Sequence, residues 1–187
     1  MFSLKLRRIT IICVSIMCFL AFIDAGDKSY QYREYIYTSP DNYKKREWDK
    51  EVEAKQEQEI KDLAVAVYHE SGNQSSKGKA AVAKVILNRA KIDNTTVKNV
   101  VTKKGQFQYI ENNRNNSINI TKLSKKELTN YNQSIIIAND EYQRYLYEGR
   151  MGTKATYFKR CSTSSSYFDK LKFLYKIEDH CFFMKGK

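Results

Sequence analysis

Glu70 is the residue whose position asks for chemistry. It stands in "VYHESGNQSSKGKAAVAKVILNR", residues 67–89. An apolar run reaches Val67 and Tyr68, His69 and Glu70 follow, small polar residues intervene, and a second apolar run begins. A carboxylate at the end of a buried helix face is partly desolvated, and desolvation raises its pKa. A carboxylic acid that stays protonated near neutral pH can give its proton to a leaving oxygen. The plain alternative is a solvated Glu at a helix end, since most such carboxylates do no chemistry.

Other chemistries find less support. His69-Glu70 opens a zincin-like string, but a zinc helix needs a second His four positions on, and position 73 is Asn. The chain has only two histidines, His69 and His180. No metal or other cofactor is expected. No nucleophile elbow is present to arm a serine.

The elements that position Glu70 can be read from periodicity. Ile60, Leu63, Ala64, Val67 and Tyr68 share one helical face, and Ser71-Gly72-Asn73 supplies stop residues. Ser75 or Ser76 caps a second helix whose face is Ala81, Val82, Val85, Ile86 and Arg89. A short helix or turn covers 97–101, and 105–120 reads as a loop with few apolar anchors. Ser124 and Glu127 form a capping box before a long helix with an apolar stripe of Leu128, Tyr131, Ile135, Ala138, Tyr142 and Tyr145, closed by Gly149 and Gly152. The segment from Ala155 to Phe183 has short aromatic runs between turns, a strand pattern.

The outer bounds fit one domain with appendages. The chain has 187 residues, 42% hydrophobic, one proline and seven glycines. Its formal net charge of +12 asks for a polyanionic partner. Residues 1–25 read as a secretory signal peptide: Lys5, Arg7 and Arg8 precede an apolar run from Ile9 to Ile23, with cleavage after Ala25. An uncleaved membrane anchor is the alternative. Either way the rest of the chain is expected outside the cytoplasm, in periplasm, wall or medium, which argues against nucleic acid as the partner. Cys161 and Cys181, the two cysteines beyond the signal, are expected to pair there. Residues 26–54, rich in Tyr and charge, read as a linker. Tyr30, Tyr32, Tyr35 and Tyr37 are candidates for a wall-binding strip. The domain proper is placed at 55–187.

"LAVAVYHESGNQSSKGKAAVAKVILNRAK" resembles the opening motif of the SleB-type cell wall hydrolases, the spore-cortex-lytic enzyme family. Glu70 falls on the family's first acidic residue, Gly78 on its glycine, and Ala81-Val82-Ala83 with Val85 to Arg89 on its signature helix. "VVTKKGQFQY", "ATYFKR" and "KIEDHCFF" resemble later family segments in the right order, the last placing His180 on the family's His. Gln74 stands where a second Glu is usual, Glu178 where a Gly is usual, and Tyr167 or Phe168 nearest a usual Trp. Glu70-Ser71 also resembles the Glu-Ser pair of lytic transglycosylases.

The resemblance implies a lysozyme-like, helix-dominated α+β domain that cleaves the peptidoglycan backbone between N-acetylmuramic acid and N-acetylglucosamine. Glu70 would be the catalytic acid, and Gln106, Gln108, Tyr157 and His180 would hold the sugar. Asn88 and Arg89 would bond loop backbone near the site. The partner would be peptidoglycan glycan strands, with other anionic wall polymers drawn to the basic surface and a membrane only if the signal is retained. A true hydrolase would need a second carboxylate, for which Glu111, Asp140 and Asp179 are candidates. A non-catalytic basic wall- or membrane-associated protein on the same fold is the third reading.

Overall fold

The computed structural model describes residues 40–107, 109, 116–149 and 151–186. The segment expected to be a signal peptide, the four tyrosines considered for a wall-binding strip, Gln108 and Glu111 lie outside these residues. The chain divides into two compact units, Met1–Glu53 and Ala54–Lys187. The described part of the first is helical throughout.

Helix α1 runs Pro40–Ser71, so the latter part of the segment read as a linker is helix. Proline suits a first helical turn, where its missing N–H costs nothing. The Lys- and Glu-rich sequence that follows is made of good helix formers even though it has few aliphatics. In the second unit α1 becomes core: Leu63 to Val67 are all buried. Ser71 Oγ donates back to the Val67 carbonyl at 2.8 Å, closing the last turn.

Helix α2, Ser76–Ile92, is the centre of the domain. Ser75 is its cap, the hydroxyl accepting from the Gly78 N–H. Ala81, Val82, Ala83, Val85, Ile86 and Leu87 are buried on several sides, as a helix packed on more than one face requires. The short helix α3, Val97–Thr102, is capped by Thr96 and buries Val97, Val100 and Val101. Phe107, only 2% exposed, also enters the core, so the loop after α3 is better anchored than its composition suggests.

Helix α4, Lys125–Glu148, has the capping box of Ser124 and Glu127 and ends at Gly149 in the left-handed conformation. Its buried stripe is rotated from the apolar pattern: Tyr131, Ser134, Ile137, Ala138, Glu141 and Tyr142 face inward, and Leu128 and Ile135 lie at its exposed edge. The reason is polar. Ser134 Oγ donates to the Asn130 carbonyl, and Glu141 meets Lys84 of α2 at 3.7 Å and Arg144 at 3.4 Å. With such partners a carboxylate can take a buried position. Lys79, also buried, donates to the Gln74 carbonyl at 2.8 Å and to Gln133 Oε1 at 2.9 Å, tying the α1–α2 turn to α4.

The chain closes with three strands, β1 Tyr157–Arg160, β2 Leu171–Ile177 and β3 His180–Lys185. They form an antiparallel sheet of order β1-β3-β2. Arg160 pairs with His180 on one side of β3, and Ile177 pairs with it on the other. A Cys161–Cys181 disulfide links the end of β1 to β3, with a Cα–Cα distance of 5.1 Å. The two-residue β2–β3 turn puts Glu178 at φ 48, a left-handed position that glycine meets at least cost. Glu178 has a compensating contact: its Oε2 accepts from the Ser75 N–H at 3.0 Å, which docks the turn on the start of α2. The domain is thus a helix-dominated α+β fold with a small sheet.

Candidate active site

Glu70 sits in the last turn of α1 and opens onto a cleft of about 880 Å³. The other walls come from the loop after α3, from β1 and the segment following it, and from the first residue of β3. Gln106, Tyr157 and His180, expected on the site, all line this cleft with Glu70. So do Tyr167 and Phe168, the aromatic pair nearest the family's usual Trp. Gln108 lies outside the described residues.

Burial pushes the Glu70 carboxyl up to about 7, with Arg160 pulling in the opposite direction. The acid is therefore half-protonated near neutrality. Arg160 itself is exposed, so its pull is screened by water and burial wins. The carbonyls at the end of a helix add negative potential and favour the neutral acid further.

Aromatic rings and cations surround the acid. The His69 ring stacks on Tyr109, with centroids 4.4 Å apart and planes 14° from parallel. Burial, then the charge of Glu70, raises the Tyr109 phenol. The hydroxyl donates to Asn116 Oδ1 at 2.9 Å, and Asn116 Nδ2 donates to the Asp62 carboxylate and carbonyl. This chain ties the cleft loop to buried Asp62 on α1. His180 is 3% exposed and is held below its ordinary pKa by burial and by Arg160, so it is neutral. Its Nδ1 is buried and finds no hydrogen-bond partner among the described residues.

Asn88 does bond loop backbone, its Nδ2 donating to the Thr153 and Ala155 carbonyls at 2.9 Å each. Arg89 instead lines the cleft. It donates to Gln106 Oε1 and lies 5.6 Å from the Phe107 ring centre, fixing Gln106 in place.

The candidates for a second carboxylate separate. Asp140 is exposed on α4, and Asp179 is exposed in the β2–β3 turn, where it accepts from Gln74 Nε2 at 3.4 Å. Neither lines the cleft, and Glu111 lies outside the described residues. Among the described lining residues Glu70 is the sole carboxylate. Gln74 is buried and faces Asp179, away from this cleft. The position where the resemblance expects an acid therefore belongs to the turn after α1 and not to the cleft wall.

Tyr109, His69 and Arg160 were missed from the sequence. Tyr109 sits in a segment with no periodicity, and Arg160 reaches Glu70 only through the pairing of β1 with β3.

Fold and cleft together define a helix-rich α+β domain that offers one desolvated acid in an open, polar, cation-bearing cleft, an arrangement suited to acid-assisted cleavage of an extended polar substrate. A family model described as Cell Wall Hydrolase matches residues 73–183, more than half the chain, and the chain belongs to that SleB-type family. Membership of that family supports a peptidoglycan-degrading activity in general. The match begins just past Glu70 and spans α2 to β3. No curated protein and no solved structure matches the chain.

Proposed function

We propose that the chain is an exported lytic transglycosylase acting on the bond between N-acetylmuramic acid and N-acetylglucosamine. The observation that carries the reading is Glu70 itself: an acid raised to about 7 by burial, alone among the carboxylates of the described cleft wall. A group with that pKa can serve as acid and then as base at neutral pH.

In the first step the C1–O4 bond breaks as Glu70 gives its proton to the departing N-acetylglucosamine 4-oxygen. The muramyl acetamido oxygen stabilises the cationic C1, as in substrate-assisted glycosidases. In the second step the Glu70 carboxylate takes the proton of the muramyl 6-hydroxyl and O6 bonds to C1. The net change moves one proton from O6 to O4 and leaves a 1,6-anhydromuramyl end. Gln106, Tyr157 and His180, which line the cleft, are the candidates to hold the sugar. Neutral His180 adds no charge beside the developing cation. The 6-hydroxyl is carried by the bound sugar, so its effective concentration exceeds that of an unactivated water.

A retaining hydrolase needs a second carboxyl about 5 Å from the first, and an inverting one about 6.5–9.5 Å away. Mass spectrometry of fragments from purified peptidoglycan separates the outcomes by one water. Anhydro ends should dominate. Reducing ends carrying oxygen from labelled water would overturn the transglycosylase reading.

A further inference from the structure

A second cavity, of about 470 Å³, opens beside the first. The two share a wall, since Arg89, Gln106, Tyr157 and Tyr167 line both. Beyond that wall the charge is strongly one-sided. Lys103, Lys154 and Lys185 line the second cavity along with Arg89, and Asp93 is the one carboxylate among its described lining residues. The lysines come from the end of α3, the loop before β1 and the end of β3. The fold, not a run in the sequence, gathers them, and none forms an ion pair among the described residues. Like charges converging on a concavity create a potential that favours a bound anion.

We propose that this second cavity is a subsite for the carboxylates of the peptide stem carried by the muramyl residue. The inference rests on the reading of the first cleft as the glycan site. The stem branches from the muramyl 3-oxygen, so a strand whose scissile bond lies at Glu70 carries its branch within about one sugar's width of the acid. The shared wall is the place where such a branch passes from one cavity to the other. Tyr157 and Tyr167, edge to face with ring centroids 5.8 Å apart, offer that wall apolar surface against which a peptide's methyl groups can pack. A free anionic wall polymer would feel the same potential, but it is not tethered to the sugar at Glu70.

The test uses the full chain carrying Glu70→Gln, so that ligand is not consumed, with and without Lys154→Gln and Lys185→Gln. Both lysines are exposed and lie outside the first cleft. Calorimetric titration compares N-acetylglucosaminyl-N-acetylmuramyl tetrapeptide with the same compound bearing amidated carboxyls. The two lysine substitutions should weaken the free-acid ligand roughly five-fold and leave the amidated one unchanged. Equal weakening of both, weakening of neither, binding of neither, or loss confined to a phosphate-bearing wall polymer would overturn the subsite. Failure of the catalytic reading shows separately, as wall-clearing activity retained in the Glu70→Gln chain, while the titrations still report on the second cavity.

Discussion

Replacing Glu70 by Gln is expected to raise stability above neutral pH as it removes activity. Burial moves the carboxyl from its ordinary 4.5 to about 7 in the folded protein. Between those values the folded state keeps a proton that the unfolded state has released, so this group's contribution to stability falls as pH rises. Below pH 4.5 both states are protonated and the group contributes nothing. Above pH 7 both are ionised, and the folded state bears the full cost of a desolvated charge, about 3 kcal/mol. Glu70 is half-buried, and water reaching it screens part of that cost. A gain of about 2 kcal/mol for Glu70→Gln at pH 8, vanishing near pH 4, is the expected outcome. Urea unfolding followed by circular dichroism, with the disulfide intact, measures it for both chains at pH 4, 6 and 8. The lowered histidines titrate in both proteins and cancel from the difference. A difference of the same size at pH 4 and pH 8 would refute the reasoning, because it would mean that Glu70 carries no displaced proton.

The same substitution should cut release of soluble wall fragments by about 10²–10⁴-fold, and the wild-type rate should fall as pH rises through about 7 and the acid ionises. Changing Cys161 and Cys181 to Ser opens a loop of sequence separation 20 and should cost about 3 kcal/mol in thermal or urea unfolding; an unchanged midpoint would show that the bridge does not constrain the unfolded chain. Gly78→Ala would set a Cβ 2.9 Å from the Gln74 Cβ and 3.2 Å from Glu178 Oε2. It should lower stability by about 1–3 kcal/mol, with a smaller loss when Glu178 is also shortened to Ala.

Much of the helical framework was legible because periodicity and caps are local signals. Ser75, one of two caps offered for its helix, and the Ser124–Glu127 box mark helix starts in the sequence as in the fold, whereas the Thr96 cap was not read. Glu70 was legible for the same reason, since an apolar stripe ending in an acid predicts a half-buried carboxyl. Long-range partners could not be read in this way. The inward turn of Glu141 depends on Lys84 of another helix. The helix from Pro40 carries no apolar face over its first turns, so a reading based on amphipathicity passes over it. Arg160 and His180 meet Glu70 across some ninety to one hundred and ten residues of chain, a separation at which no spacing rule operates. Asp140 and Asp179, candidates only for the alternative of a true hydrolase, do not line the cleft, and that placement depends on the fold and not on spacing.

The strand order β1-β3-β2 also bears on when the site can exist during synthesis. The third strand in chain order lies in the middle of the sheet, so β1 and β2 have no hydrogen-bonded neighbour in it until that strand is made. His180 is its first residue, and Cys181 is needed to close the disulfide. A chain cut short at Asp179 would carry Glu70, yet lack His180 from the cleft lining and the strand that pairs with Arg160. Assembly of the cleft is thereby deferred until β3 has been made, and a product cut short before His180 is expected to lack wall-clearing activity.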